Sequence, residues 1–387
     1  MSFQTGTATG YDDLLNKLDT FLTGQGMCLS PSFAGTGNGA ISGLIGGSAS
    51  VAETIIVTFT SPTAFSVSGS VSGAIGTGTV GTPFASTKVN FTITAGGTAF
   101  VATDAFTFAT TPPWTSLRRT AGSEMIWQAP GNGGLDQIIV GAKTFFDAGG
   151  DYYNWRLGGF TAFNSGLPFN QQAGYVGGAS QAAPSPVLNL WNQPTPYWFI
   201  ANGRRVIVVA KVSTVYVMAY LGFMSPYMSP GSFPYPLIVG GSMAWNSEPA
   251  AGSTNWRWSY SGNEISNFPF SFNSTMSNAY QAQLRLRLAS GTWQGFDRGQ
   301  DTVFGEIYPY GNSMTDWRTN LDGGYLVLPI VLHDAAPNVY GELEGALAVT
   351  GFQNASENTI TLGNSTYLIV QNVSRTTKVD YCAVKLI

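Results

Sequence analysis

Short β-branched and aromatic runs, cut by clusters of Gly, Ser, Thr and Pro, constrain this chain more than any other feature. In Val89-Asn90-Phe91-Thr92-Ile93-Thr94 apolar and polar residues alternate with period two, the signature of a strand with one buried face. Thr54 to Phe59, Phe65 to Val71 and Ala105 to Ala109 are runs of the same kind, and strands at this spacing predict a small sandwich. Further strands are expected at Asp136 to Val140 and Val206 to Val212, and near the C-terminus from Gly345 to Leu386. There, Gly363-Asn364 reads as the turn of a hairpin. The expected fold class is mainly β, built from β-sandwich-like domains.

One segment breaks the pattern. Tyr11, Leu14, Leu15, Leu18, Phe21 and Leu22 recur at three- and four-residue spacing, which places them on one face of a short amphipathic helix. Gly24 and Gly26 then end it. Its apolar face needs a partner, either its own domain or a neighbouring subunit. Leu29 to Gly47 is rich in Gly and Ser and reads as a loop; residues 29–52 are expected to be a linker or an arm clasping a neighbour. Pro112-Pro113-Trp114 marks a boundary.

A chain of 387 residues exceeds one ordinary domain. The expected division is an N-terminal helix or arm (1–28), a small sandwich (29–114), an aromatic-rich β body (115–335) and C-terminal strands completing that body (336–387). Two proline-rich pieces, Ala179 to Pro196 and Ser225 to Pro236, read as extended surface segments. Val206 to Phe223 is the longest apolar stretch, but Lys211, Ser213 and Thr214 interrupt it. It reads as two strands and falls short of a membrane span.

Composition bears on how such a chain stays soluble. Hydrophobic residues make up 44%, aromatics 13% and charged residues 10%, where an ordinary soluble domain carries roughly 25% charged. Few charges with many aromatics suit surface that is buried against other subunits, so a homo-oligomer is expected. Interface candidates are Tyr11, Leu14, Phe21, Trp198, Tyr227, Phe233 and Tyr235. The basic pair Arg204-Arg205 is expected to meet acidic groups across an interface. A net charge of −4 offers no general attraction for nucleic acid or a membrane. The first residues lack the basic and apolar regions of a signal peptide, and Cys28 and Cys382 supply neither a disulfide framework nor a metal site. Synthesis in the cytoplasm follows as the expectation.

The chemistry-bearing motifs are sparse. His333 precedes Asp334 at the end of a strand-like run, without a nucleophile elbow nearby, and reads as a turn residue. Asp297 with Asp301, or Glu342 with Glu344, could form a hydrolytic carboxylate pair, but such pairs are common on solvated edges. Gly76-Thr-Gly-Thr-Val-Gly81 fits a dinucleotide fingerprint only nominally, because no strand–turn–helix unit surrounds it. Asn154-Trp155-Arg156, Asn255-Trp256-Arg257 and Asp316-Trp317-Arg318 repeat a local pattern, read as Arg stacking on Trp. No catalytic residue, cofactor or metal is expected.

The stretch Trp198-Phe-Ile-Ala-Asn-Gly-Arg-Arg-Val-Ile-Val-Val-Ala-Lys-Val-Ser-Thr214 is the most distinctive, followed by Tyr220-Leu-Gly-Phe223 and Phe233-Pro-Tyr-Pro-Leu237. With Thr5-Gly-Thr-Ala-Thr9, Tyr11-Asp-Asp-Leu-Leu15, Asp151-Tyr-Tyr-Asn-Trp155, Phe100-Val-Ala102, Phe106-Thr-Phe108 and Gly351 to Asn372, it resembles a family of tailed-bacteriophage virion proteins over most of the chain. The resemblance implies a structural subunit of the tail, neck, collar or baseplate, located in the virion, with itself and other tail or neck proteins as partners. It brings no catalytic motif. A receptor-binding tail protein gripping host glycan through exposed aromatics is the alternative expectation, and a polysaccharide depolymerase is the third.

Overall fold

The computed structural model describes residues 2–131, 138–148, 151–177, 185–228, 237–241, 243–245, 284–296, 327–333, 338–349, 354–363, 365–371 and 381–386. The fold is mainly β, with several antiparallel sheets and one α-helix among the described residues. Its centre is a seven-stranded sheet in the order Ser2–Ala8, Thr195–Ala201, Arg205–Val212, Val215–Phe223, Leu237–Gly240, Leu284–Arg287 and Trp293–Phe296. One outer sheet runs Thr115–Thr120, Glu124–Ala129, Ile138–Asp147, Tyr152–Phe160, Ser185–Leu190 and Met243–Trp245. A second outer sheet runs Ser225–Pro226, Val339–Val349, Tyr381–Lys385, Ser365–Gln371 and Thr359–Leu362, with Val327–His333 also paired to Val339–Val349.

The central sheet is covered on both faces. Phe199, Val206, Val208, Ala210 and Val217 share a core with Trp127, Val140, Trp155 and Leu188 of the first outer sheet. Ile200, Ile207, Val209, Met218 and Tyr220 share another with Leu343, Ala348, Leu368, Val370 and Val384 of the second. Successive side chains on a strand point to opposite faces, so a strand buried on both sides must be apolar at every position. That is why Val206 to Ala210 is an unbroken apolar run while Val89–Thr94 alternates. Arg205–Val212 and Val215–Phe223 pair antiparallel around Ser213-Thr214, giving the two strands expected there.

The helix, Tyr11–Gly24, closes one edge of the first core. Asp12 and Asp13 lie in its first turn, where negative charge suits the helix dipole. The Asp13 carboxylate accepts the Thr9 amide at 2.8 Å. Leu14, Leu15, Leu18, Phe21 and Leu22 are fully buried against the chain's own sheets, a burial that contributes on the order of 10 kcal/mol as an upper estimate. Asp19 fastens the polar side, accepting Trp127 Nε1 and pairing with Arg119 Nε, both at 2.8 Å. Residues 1–28 are therefore no separate arm: Ser2–Ala8 is an edge strand of the central sheet, and the helix is part of the body's core.

The sandwich is an insertion in that body. Chain leaves the helix, builds two facing sheets, and returns at Thr115–Thr120 of the first outer sheet. One sheet holds Met27–Cys28, Ala105–Thr111, Glu53–Phe59, Ala64–Gly69 and Gly73–Thr79, with Ser32–Ala34 on Ala105–Thr111; the other holds Ala40–Gly46, Val89–Thr94 and Phe84–Ala85. Among the described residues, its core draws only on those from Cys28 to Phe108, with Phe59 and Phe100 stacked at 3.8 Å between ring centres. The two ends of the insertion pair with each other, Met27 to Thr111 and Cys28 to Thr110.

Two extended segments turn out to be paired. Residues 29–52, expected as a linker or clasping arm, contribute Ser32–Ala34 and Ala40–Gly46 to the sandwich, because Phe33, Ile41 and Leu44 pack on its core. Within 179–196, Ser185–Leu190 and Thr195–Ala201 are strands. Their prolines lie near strand starts, where the missing N–H costs least. Gly73–Thr79 is an antiparallel strand, so the nominal dinucleotide fingerprint is a piece of hairpin.

Candidate functional site

Among the described residues, the sandwich surface stands apart by its lack of charge. Between Leu29 and Trp114 the sequence holds three charged residues, Glu53, Lys88 and Asp104. Glu53 and Asp104 are buried and Lys88 is half-buried. Glu53 accepts the amides of Val71 and Ser72 at 3.0 and 2.8 Å and the Ser72 hydroxyl at 2.7 Å. Burial alone would raise its pKa, but these donors outweigh it and hold the carboxyl below its ordinary value. Asp104 accepts the amides of Thr36, Gly37 and Val101 at 2.9, 2.9 and 3.1 Å, and its pKa is lowered against desolvation in the same way. Lys88 Nζ donates to the Ala49 carbonyl at 2.8 Å. All three serve the domain's own turns. What solvent meets is Ser, Thr and Gly, with Ile56, Val71 and Val101 exposed among them.

The sequence-derived interface residues divide. Tyr227 is 56% exposed, its hydroxyl 3.2 Å from Glu342 Oε2, and Met228 and Val339 are exposed close by along the chain and the paired strand. Trp198 is half-buried and tilted against Tyr216 at 6.3 Å. Tyr11 is half-buried; its ring meets Tyr153 edge-on at 5.0 Å and its carbonyl accepts Trp155 Nε1 at 2.7 Å. Leu14 and Phe21 are at most 1% exposed, so a neighbour finds no surface there. Phe233 and Tyr235 lie outside the described residues.

Arg204 and Arg205 also depart from expectation. Arg205 is fully buried, its guanidinium 5.9 Å from the Tyr220 ring centre, and Arg204 lies 5.0 Å over Phe223. Asn202 Oδ1 accepts both of their amides, at 2.8 and 2.9 Å, while its Nδ2 donates to Glu344. Glu344 of the second outer sheet thus reaches the Asn202 side chain that holds the Arg204-Arg205 amides, a contact within one chain that stitches two layers together. Lys211 does likewise, meeting Glu357 at 2.6 Å. Arg156 lies over Tyr175 at 5.3 Å, not over Trp155, because adjacent strand residues face opposite ways. The other two Trp-Arg pairs lie outside the described residues.

Of the proposed carboxylate pairs, Asp297 and Asp301 lie outside the described residues, and Glu342 and Glu344 engage Tyr227 and Asn202. His333 ends a strand, and Asp334 lies outside the described residues. Among the described residues no three His, Cys, Asp or Glu side chains gather as a metal cluster. Cys28 and Cys382 are buried free thiols, and burial pushes the Cys28 pKa up to about 12. No described helix is long and apolar enough to cross a membrane.

A pocket of about 440 Å³ opens at one end of the first core, where the start of Tyr152–Phe160, the end of Ser185–Leu190 and the tip of the Val212-Ser213 turn converge. Asp151, Tyr153, Asn154, Trp191, Asn192 and Gln193 contribute to its lining. The Tyr153 hydroxyl donates to Asp151 at 2.7 Å, which raises the phenol pKa. None of these residues stood out as a site in the sequence. The available signal was two aromatic–amide runs, Tyr152-Tyr-Asn-Trp155 and Trp191-Asn-Gln193, which only strand pairing brings together.

No family model and no curated protein matches the chain. Among solved structures it is similar over a short stretch to FlgL of Xanthomonas campestris in two crystal forms. One match has 22% identity, covers 23% of this chain and 29% of that one, and has a TM-score of 0.19. The other has 20% identity, covers 24% and 33%, and has a TM-score of 0.18. The chain thus spans about a third or less of FlgL, and similarity this low carries no argument about fold or function.

Proposed function

We propose that this chain is a structural subunit of a tailed-phage particle, in the tail or neck, working through contacts with copies of itself and with neighbouring particle proteins. The observation that carries the reading is the sandwich surface: a whole domain without one fully exposed charged side chain. Charge is what keeps an isolated surface free of association; a domain that lacks it suits a place among neighbours. The resemblance of Trp198 to Thr214 and its companion segments to phage virion proteins supplies the kind of assembly. Exposed Tyr227 and Met228 offer the body a second contact region.

Gold-labelled antibody against the purified chain, applied to intact particles, tests this. Label at the head–tail junction supports a neck or collar position, and label at the distal end supports a baseplate or tip position. Particles that carry no label while their other proteins stain normally, together with a purified chain that stays monomeric, overturn the proposal.

A further inference from the structure

We propose that the pocket beside Trp191 binds a neutral saccharide unit. The inference rests on the pocket's chemistry and is independent of the assembly role. Its volume, about 440 Å³, lies within the range of small-molecule sites and accommodates a mono- or disaccharide. Pyranose rings present an apolar face of C–H groups and a rim of hydroxyls that both donate and accept. A matching site needs aromatic surface beside side chains that do the same. Trp191 and Tyr153 supply the aromatic part, while Asn192, Gln193, Ser213 and Asp151 supply amide, hydroxyl and carboxylate groups.

The aromatic groups are already braced. Trp191 Nε1 donates to Thr195 Oγ1 at 2.7 Å. Tyr153 stacks on Phe146 at 4.7 Å, meets Tyr11 edge-on at 5.0 Å, and donates its hydroxyl to Asp151. A ligand therefore pays little ordering entropy to these rings. Asn192 and Gln193 are exposed at the mouth. Two lining residues, Asp151 and Ser213, sit in tight hairpin turns with left-handed backbone at φ 55° and 58°. Among the described residues no Lys, Arg or His lines the pocket and one carboxylate does, which disfavours anionic sugars, phosphates and nucleotides. A lone carboxylate is also too little for a metal ion.

Saturation-transfer NMR on the full chain tests this with methyl glycosides of glucose, galactose, mannose and N-acetylglucosamine, with dextran as a polymer, and with glucuronate as an anionic control. The expected result is binding of at least one neutral probe with a dissociation constant on the order of 1 mM. Preference for a glycoside points to a free or terminal sugar, and preference for dextran to internal units of a chain; both support the site. Trp191→Ala should weaken binding about 10-fold or more. Because Trp191 also touches the core, the exposed Gln193→Ala is the second variant, expected to weaken binding while leaving the melting curve unchanged. Silence with every neutral probe, glucuronate binding more tightly than the neutral sugars, or binding indifferent to both variants would overturn it.

Discussion

Glu53 and Asp104 hold loops of the sandwich by accepting backbone amides, so their protonation loosens the domain without breaking an ion pair. Both carboxyls sit below their ordinary pKa in the folded state. Their contribution is therefore fully present above the unfolded value, about 4, and is lost as pH falls through the lower folded values. The melting temperature of the sandwich should fall as the pH is taken down past about 4, and Glu53→Gln should flatten part of that dependence. A melting temperature independent of pH over this window would show that neither carboxylate matters. At this scale the sequence was legible in one respect only. The scarcity of charge could be counted, but nothing local to Glu53 marks it as the acceptor for Val71 and Ser72. That bond depends on how Glu53–Phe59 and Ala64–Gly69 are paired.

Elements were more legible where one face is buried. The helix and the strand Val89–Thr94 follow directly from their periods, because solvent on the other face imposes polar residues. Ser32–Ala34 and Ala40–Gly46 were not legible, since glycine and serine fit the sandwich only through contacts made elsewhere. Gly26, expected simply to stop the helix, has a different job. A Cβ there would lie 2.4 Å from Ser50 Cβ and 2.5 Å from the Thr111 carbonyl, at the point where the sandwich joins the body. Gly24, the last helical residue, has nothing within 4 Å of such an atom. Gly26→Val should therefore cost about 1–3 kcal/mol, while Gly24→Ala should be neutral or stabilise by up to about 1 kcal/mol. Urea titrations of the two variants measure both. Equal effects would mean that close packing at the junction is not the reason for Gly26.

For the whole molecule, the mainly β class was legible from the short β-branched and aromatic runs, but the layering of the body was not. Nothing in the sequence says that Ser2–Ala8 crosses to Thr195–Ala201 or that Asn202 meets Glu344; long-range pairing of antiparallel strands decides both. The same lack of long-range information turned intramolecular layers into expected subunit contacts at Leu14, Phe21 and Arg205. Separate cores give a prediction at this scale. A fragment of residues 26–112 should melt cooperatively alone, and a chain in which 28–110 are replaced by a short glycine linker should keep the body's cooperative melt. Circular dichroism and calorimetry of the two pieces check this, and an unfolded body would mean that the cores depend on each other.

The pairing of Met27 with Thr111 has an evolutionary reading. A module whose entry and exit are adjacent can be lost, enlarged or exchanged for another without re-threading a single body strand. Lineages carrying this body are thus free to diversify the inserted module while the three-layered frame stays fixed, so variation in length among them should concentrate between Met27 and Thr111.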